Sequence, residues 1–284
     1  MYENSSQSVL VYNSKSGSFR ESFREEIEKL VQNYPLCAVD ISNLDKHLSD
    51  PKNTFSKLII AGGDGTISSV VKIFYTHGHI DSLRAVAILP LGTGNDFAGA
   101  YKIPRIKAPR EFGEYAKAFL TAVNSEVTNH TFYSVRLETS ANDVIETVAC
   151  CYVSCGLSAR ILSKIDEYRA KYKFIPRTIL RILYAYVGVR NIFDNKKIQV
   201  TTQIAGKQVI SSGLDYFICL TRTVFGGGVS NLVSNTQDSK AEVLCNSSKM
   251  RMSLAALGII PLSNSVASIE SPIVAEITGQ VDVQ

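Results

Sequence analysis

Residues 58–72 read LIIAGGDGTISSVVK, a short apolar run that passes through GGDGT into a helical pattern. Three glycines in four positions strip side chains from a bend. The chain there can take φ above zero or come close to a ligand, at an entropic cost to folding. A glycine turn that feeds a helix also presents backbone N–H groups at the positive end of the helix dipole, which favours phosphate. Taken alone, the turn reads either as a phosphate loop or as a tight structural bend. It matches neither the P-loop pattern, with its lysine and hydroxyl, nor G-x-G-x-x-G.

Upstream, SVLVYN at 8–13 is an apolar run ending in turn formers, and Phe19, Phe23, Ile27, Leu30 and Val31 then recur at helical spacing. KLIIAGGDG supplies a second buried strand, and Ile67, Val70, Val71 and Phe74 share one face of the helix after it. RAVAILPLGTGND supplies a third strand with its own glycine loop. Alternation of strand and helix predicts a doubly wound, parallel α/β sheet. Ligands of such sheets sit beyond the carboxyl ends of the strands, where both glycine loops fall. The second loop, PLGTGNDFA at 90–98, adds a hydroxyl at Thr93, an amide at Asn95 and a carboxylate at Asp96 to that edge.

After about residue 127 the texture changes to alternating segments such as TFYSVRLET and KIQVTTQI, the latter followed by the hairpin signal AGK. The expected division is an α/β nucleotide-binding domain over 1–127 and a predominantly antiparallel β domain over 128–284, in keeping with a length of 284 residues. Between those segments, residues 157–192 are basic and aromatic, with helical patterning on both sides of Pro176.

With 45% hydrophobic and 20% charged residues and no apolar stretch long enough for a bilayer, the composition is that of a globular chain rather than an integral membrane one. MYENSSQSVLVYN has no basic stretch followed by an apolar one, so a cytoplasmic location is expected. The six cysteines lack paired zinc spacings and read as reduced, mostly buried thiols. The net charge of +4 is uneven: residues 160–190 carry eight Lys or Arg against Asp166 and Glu167. Arg160, Lys164, Arg169, Lys171, Lys173 and Arg177, interleaved with Tyr168, Tyr172 and Phe174, suit an anionic membrane surface. Nucleic acid is not expected as a partner, because the basic charge is local.

GGDGT followed some two dozen residues later by PLGTGNDFA resembles the diacylglycerol kinase catalytic domain family, which includes bacterial lipid kinases and sphingosine kinases. NAD kinases share the first loop and the fold, but their later Asn-Glu and Gly-Ser-Thr-Ala segments are not seen here. The resemblance runs nearly the whole chain: VYNSKSG at 11–17 is similar to the family's first nucleotide loop, SCGLSAR at 154–160 to its second-domain entry, and FGGGVSN at 225–231 to a later glycine loop. It implies an ATP-dependent lipid kinase, with the lipid hydroxyl as phosphoryl acceptor. On matched positions Asn13, Ser16, Gly17, Gly62, Gly63, Gly65, Thr66, Thr93 and Asn95 are implied to bind ATP. Asp64 and Asp96 are implied at the reaction centre, and Asp238 as the Mg²⁺ ligand. Phosphoryl transfer itself needs phosphates held in line, their charge neutralised and a hydroxyl oriented by a carboxylate.

The chain also departs from the family. Bacterial members usually carry Glu where Ser69 stands, Arg at Gly99, Asn near Thr221 and Gly at Ser239. A C-terminal Asp-Gly-Glu is best matched by Thr278, Gly279 and Gln280, neither of whose flanking side chains ionises. Two classes of function therefore stand side by side: an active lipid kinase, and a catalytically impaired relative that acts by binding nucleotide.

Overall fold

The computed structural model describes residues 7–16, 19–92, 95–121, 132–138, 144–172, 179, 182–183, 186–187, 190, 198–204, 207–213, 215–219, 224–225, 230–231, 241–246, 265–269 and 273–278. By contacts the chain divides into two compact units, Met1–Cys150 and Cys151–Gln284.

In the first unit, β1 (Gln7–Tyr12), β2 (Leu36–Asp40), β3 (Phe55–Gly62) and β4 (Ala85–Pro90) form a parallel sheet in the order β2-β1-β3-β4. Val9, Leu10 and Val11 on β1 and Leu58, Ile59 and Ile60 on β3 are all fully buried. These inner strands are apolar on both faces because helices cover both. Leu10, Ile59, Ala61 and Leu89 meet Phe23, Ile27 and Leu30 of α1 (Glu21–Asn33) and Phe112 and Ala116 of α5 (Pro109–Thr121). Alternation along the strands turns Val9, Val11, Leu58 and Ile60 to the other face. On α3 (Asp64–Thr76), which packs on β3 and on α2 (Ile41–Leu48), Ile67, Val70, Val71 and Phe74 are buried as their spacing predicts. A short α4 (Asp96–Ala100) follows the β4 loop.

Two local expectations need correction. Val31 lies beyond the buried arc set by Phe23, Ile27 and Leu30, and is 40% exposed. The pair β2 and α2 was not read from the sequence. LCAVD is a five-residue edge strand with only Leu36 and Val39 buried, which leaves no continuous apolar run to find. The hairpin β5 (Tyr133–Glu138) and β6 (Val144–Ala149) is antiparallel and groups by contacts with the first unit.

The second unit begins with β7 (Tyr152–Gly156) and α6 (Leu157–Lys171). Its other strands are β8 (Ile198–Ile204), β9 (Lys207–Gly213), β10 (Asp215–Cys219), β11 (Val224–Phe225), β12 (Ser230–Asn231), β13 (Ala241–Asn246), β14 (Ser265–Ile269) and β15 (Ile273–Thr278). Their pairings are antiparallel throughout, in the orders β14-β13-β10-β7, β15-β8-β9 and β11-β12. Ile204 stands opposite Lys207 in the antiparallel β8–β9 pair, in keeping with the hairpin signal read from the sequence. Tyr168, expected at a membrane surface, instead packs with Ile161 and Leu183 against buried Ile165 and Val187.

Candidate functional site

The order of the parallel sheet reverses between β1 and β3: the chain leaves β1 for β2 on one side and returns to β3 on the other. That reversal opens a crevice beyond the carboxyl ends of β1 and β3, the favoured ligand position in this architecture. The loops after β1, β3 and β4 end there, and each is tied to its neighbours.

The first loop is held from both sides. Asn13 donates from Nδ2 to Thr66 Oγ1 at 3.3 Å, across the reversal, while its Oδ1 accepts the Lys15 N–H at 3.0 Å. Its carbonyl accepts the Ser16 N–H at 3.1 Å. From the β2 side, Asp40 Oδ2 accepts the Ser14 N–H at 3.1 Å, and Oδ1 accepts the Ser42 N–H at 2.9 Å and hydroxyl at 2.6 Å. Burial works to raise the Asp40 pKa, but the hydrogen bonds from Ser14 and Ser42 outweigh it and bring the group down to about 2. Asp40, Ser14 and Lys15 were missed as site residues. The Asp-x-Ser at the start of α2 is a legible N-cap signal, though it says nothing of Ser14.

The glycines of GGDGT do different things. A Cβ on Gly62 would stand 2.5 Å from Thr66 Cβ, so this glycine makes room for the side chain that anchors Asn13. A Cβ on Gly63 would stand 2.8 Å from Gly92 Cα, because the two glycine loops touch backbone to backbone. A Cβ on Gly65 would meet nothing within 4 Å, and Gly65 is exposed. Nothing in the fold demands a glycine there. It sits in the first turn of α3, where the N–H groups of Asp64, Gly65 and Thr66 have no acceptor within the helix. An absent side chain at that place leaves an anion free access to those donors.

Asp64 reaches the third loop. Its Oδ2 accepts the Asp96 N–H at 2.9 Å and its Oδ1 the Phe97 N–H at 3.0 Å, so one carboxylate caps α4 from the start of α3. Asn95, in the left-handed conformation at φ 59°, closes its own loop: Oδ1 accepts the Gly92 N–H at 2.9 Å and Nδ2 donates to the Gly92 carbonyl at 2.8 Å. Asn95 and Asp96 are both buried. A Cβ on Gly99 would meet nothing within 4 Å. Behind these loops burial pushes the Cys150 thiol up to about 12, opposed by its Ser68 hydrogen bond and assisted by the negative charge of Asp64. Cys150 is a buried thiol outside any disulfide, as the sequence reading has it.

Asn13, Ser16, Gly62, Gly63, Asp64, Gly65, Thr66, Asn95 and Asp96 thus all lie on the three loops at this edge. Gly17, Thr93, Asp238, Ser239 and Gln280 lie outside the described residues, and Thr278 is described only as the end of β15, opposite Gln199. Among the described residues no group of three His, Cys, Asp or Glu side chains is placed to hold a metal ion, and no helix is long and apolar enough to cross a membrane.

Residues 7–127 match the family described as diacylglycerol kinase catalytic domain. The diacylglycerol kinase of Bacillus subtilis (strain 168) is 33% identical over 107 residues, covering 34% of this chain and 33% of that protein. Diacylglycerol kinase 2 of Arabidopsis thaliana is 25% identical over 191 residues, covering 63% of this chain and 27% of that protein. The matched stretches therefore span a third or less of these relatives. Among solved structures, a diacylglycerol kinase from Bacillus anthracis str. Sterne superposes with a TM-score of 0.57 at 15% identity, over 97% of this chain and 88% of that one. Yeast NADH kinase complexed with NADH superposes with a TM-score of 0.56 at 13% identity, over 100% of this chain and 74% of that one.

Proposed function

We propose that this chain, whose residues 7–127 match the diacylglycerol kinase catalytic domain family, is an ATP-dependent lipid kinase. It transfers the γ-phosphoryl group to a hydroxyl of a lipid such as diacylglycerol or a sphingoid base. Residues 1–127 serve the nucleotide and residues 128–284 the lipid. The observation that carries this reading is the bracing of three loops at the sheet reversal, Asn13 to Thr66, Gly63 on Gly92 and Asp64 to α4, around an open Gly65.

In the proposed reaction the lipid oxygen attacks the γ-phosphorus as the bond to the β,γ-bridging oxygen breaks. ADP departs and the hydroxyl proton passes to a carboxylate. Gly65 and the first turn of α3 take the phosphates. Asn13, Ser16, Gly17, Thr66 and Thr93 line the nucleotide. Both Asp64 oxygens already accept backbone N–H groups, so Asp64 is assigned as a positioning residue that sets the start of α4 and with it Asp96. Asp96 is assigned as the carboxylate that orients the hydroxyl. Asn95 acts through the shape of its loop. Mg²⁺ would neutralise the phosphates; it commonly keeps several waters and takes one or two carboxylates beside phosphate oxygens, and Asp238 is the carboxylate that the family resemblance implies for it. A basic, aromatic segment at 160–190 brings the protein to the membrane that holds its substrate.

The test is incubation with γ-labelled ATP, Mg²⁺ and detergent micelles carrying diacylglycerol or sphingosine. Labelled lipid supports the kinase. A folded protein that binds ATP and labels no lipid is the binding relative instead.

A further inference from the structure

Residues 179, 182, 183, 186, 187 and 190 are helical. Leu183 and Val187 pack on Ile161, Ile165 and Tyr168 of α6, and Val187 is only 3% exposed. Ile179, Ile182 and Tyr186, at the i, i+3, i+7 spacing of one helical face, are 53%, 69% and 57% exposed. The apolar arc of this helix is therefore wider than the arc α6 covers. Tyr172, just past the end of α6, is 51% exposed, with Lys171 Nζ 5.8 Å from its ring centre.

An apolar strip of this kind calls for an occupant, and the charge around it says which. Lys171 and Arg190 are exposed, and residues 160–190 as a whole carry eight Lys or Arg against two acids. Exposed apolar side chains in so basic a segment complement a bilayer that is hydrocarbon within and anionic at its surface. We propose that Ile179, Ile182 and Tyr186 enter the bilayer while Lys171 and Arg190 stay among the headgroups. This rests on the lipid kinase reading and moves its membrane contact from Tyr168, which is packed away, to a strip the sequence reading did not single out.

The chain has no tryptophan, so Tyr186→Trp provides a single reporter. In the full chain with phosphatidylcholine vesicles carrying about one third phosphatidylserine, its emission should shift to the blue and be quenched by lipids brominated in the acyl chain. Ile179→Gln with Ile182→Gln should lower vesicle partitioning by at least about tenfold. Val86→Gln, an exposed apolar residue of the first unit, should leave it unchanged. Sedimentation with vesicles while the reporter stays unquenched overturns the strip as the contact. So does a blue shift that grows with protein concentration in the absence of lipid, which would mean a second copy covers it. Failure to bind vesicles by a protein that still labels lipid in micelles overturns the strip and leaves the kinase reading standing. Failure to label lipid anywhere removes that reading by itself.

Discussion

Asp64 accepts the backbone N–H of Asp96 at 2.9 Å and, with its other oxygen, that of Phe97 at 3.0 Å. A carboxylate at the start of one helix therefore fixes the start of another, and couples the GGDGT loop to the loop that carries Asp96.

Asp64→Asn should break that coupling. An amide keeps one acceptor but turns a donor toward the second N–H, so the loss is structural as well as chemical. We expect unfolding free energy to fall by about 1–3 kcal/mol and lipid phosphorylation to fall with it, with ATP affinity changed less. Urea unfolding and turnover measured together check this; a variant as stable and as active as the parent would remove Asp64 from the mechanism.

Gly63 and Gly65 should respond oppositely to the same change. Gly63→Ala places a Cβ 2.8 Å from Gly92 Cα, backbone against backbone, and should cost about 1–3 kcal/mol. Gly65→Ala meets nothing within 4 Å. It should raise stability by about 0.5–1 kcal/mol through helix propensity and weaken ATP binding where the backbone approaches phosphate. Thermal melting separates the two stability effects, and calorimetry with ATP reads the affinity. Unchanged affinity in Gly65→Ala would show that phosphate does not approach there.

Asp40 predicts a pH dependence. Its folded pKa, about 2, lies below the ordinary carboxylate value of the unfolded chain. Its contribution is therefore fully present above about pH 4 and is lost as pH falls toward 2. Because the group is largely solvated, we expect a contribution of only about 1 kcal/mol after screening. Stability curves of the parent and Asp40→Asn should converge across this window; a difference that persists at the lowest pH would assign it to something other than titration.

The C-terminal departure from the family is testable by reversal. Thr278→Asp with Gln280→Glu should raise turnover by at least about tenfold if these positions border the reacting groups, as acid–base groups typically contribute. No gain, in a folded variant that binds ATP, would detach these positions from the chemistry.

Much of the fold was legible because its signals are local. Helical spacing found the buried faces of α1 and α3, and the apolar run of β3 marked an inner strand, since helix and strand periods are written within a dozen residues. The two glycine loops stood out for the same reason, and strand–helix alternation placed both at one sheet edge. LCAVD escaped because an edge strand needs few buried residues.

The sequence by itself determined the α/β and antiparallel classes, the family resemblance of its first 127 residues and the loops that carry the candidate site. It did not determine what each loop residue does. Gly63 is shaped by Gly92 and Asp64 by α4, partners some thirty positions away, brought within reach because β3 and β4 lie side by side in the sheet. Strand order also decided that Asn13 faces Thr66, and helix packing decided that Tyr168 is half-buried while Ile182 is exposed. These are contacts between segments distant along the chain. Their energies depend on which surfaces meet, a property that no local pattern encodes.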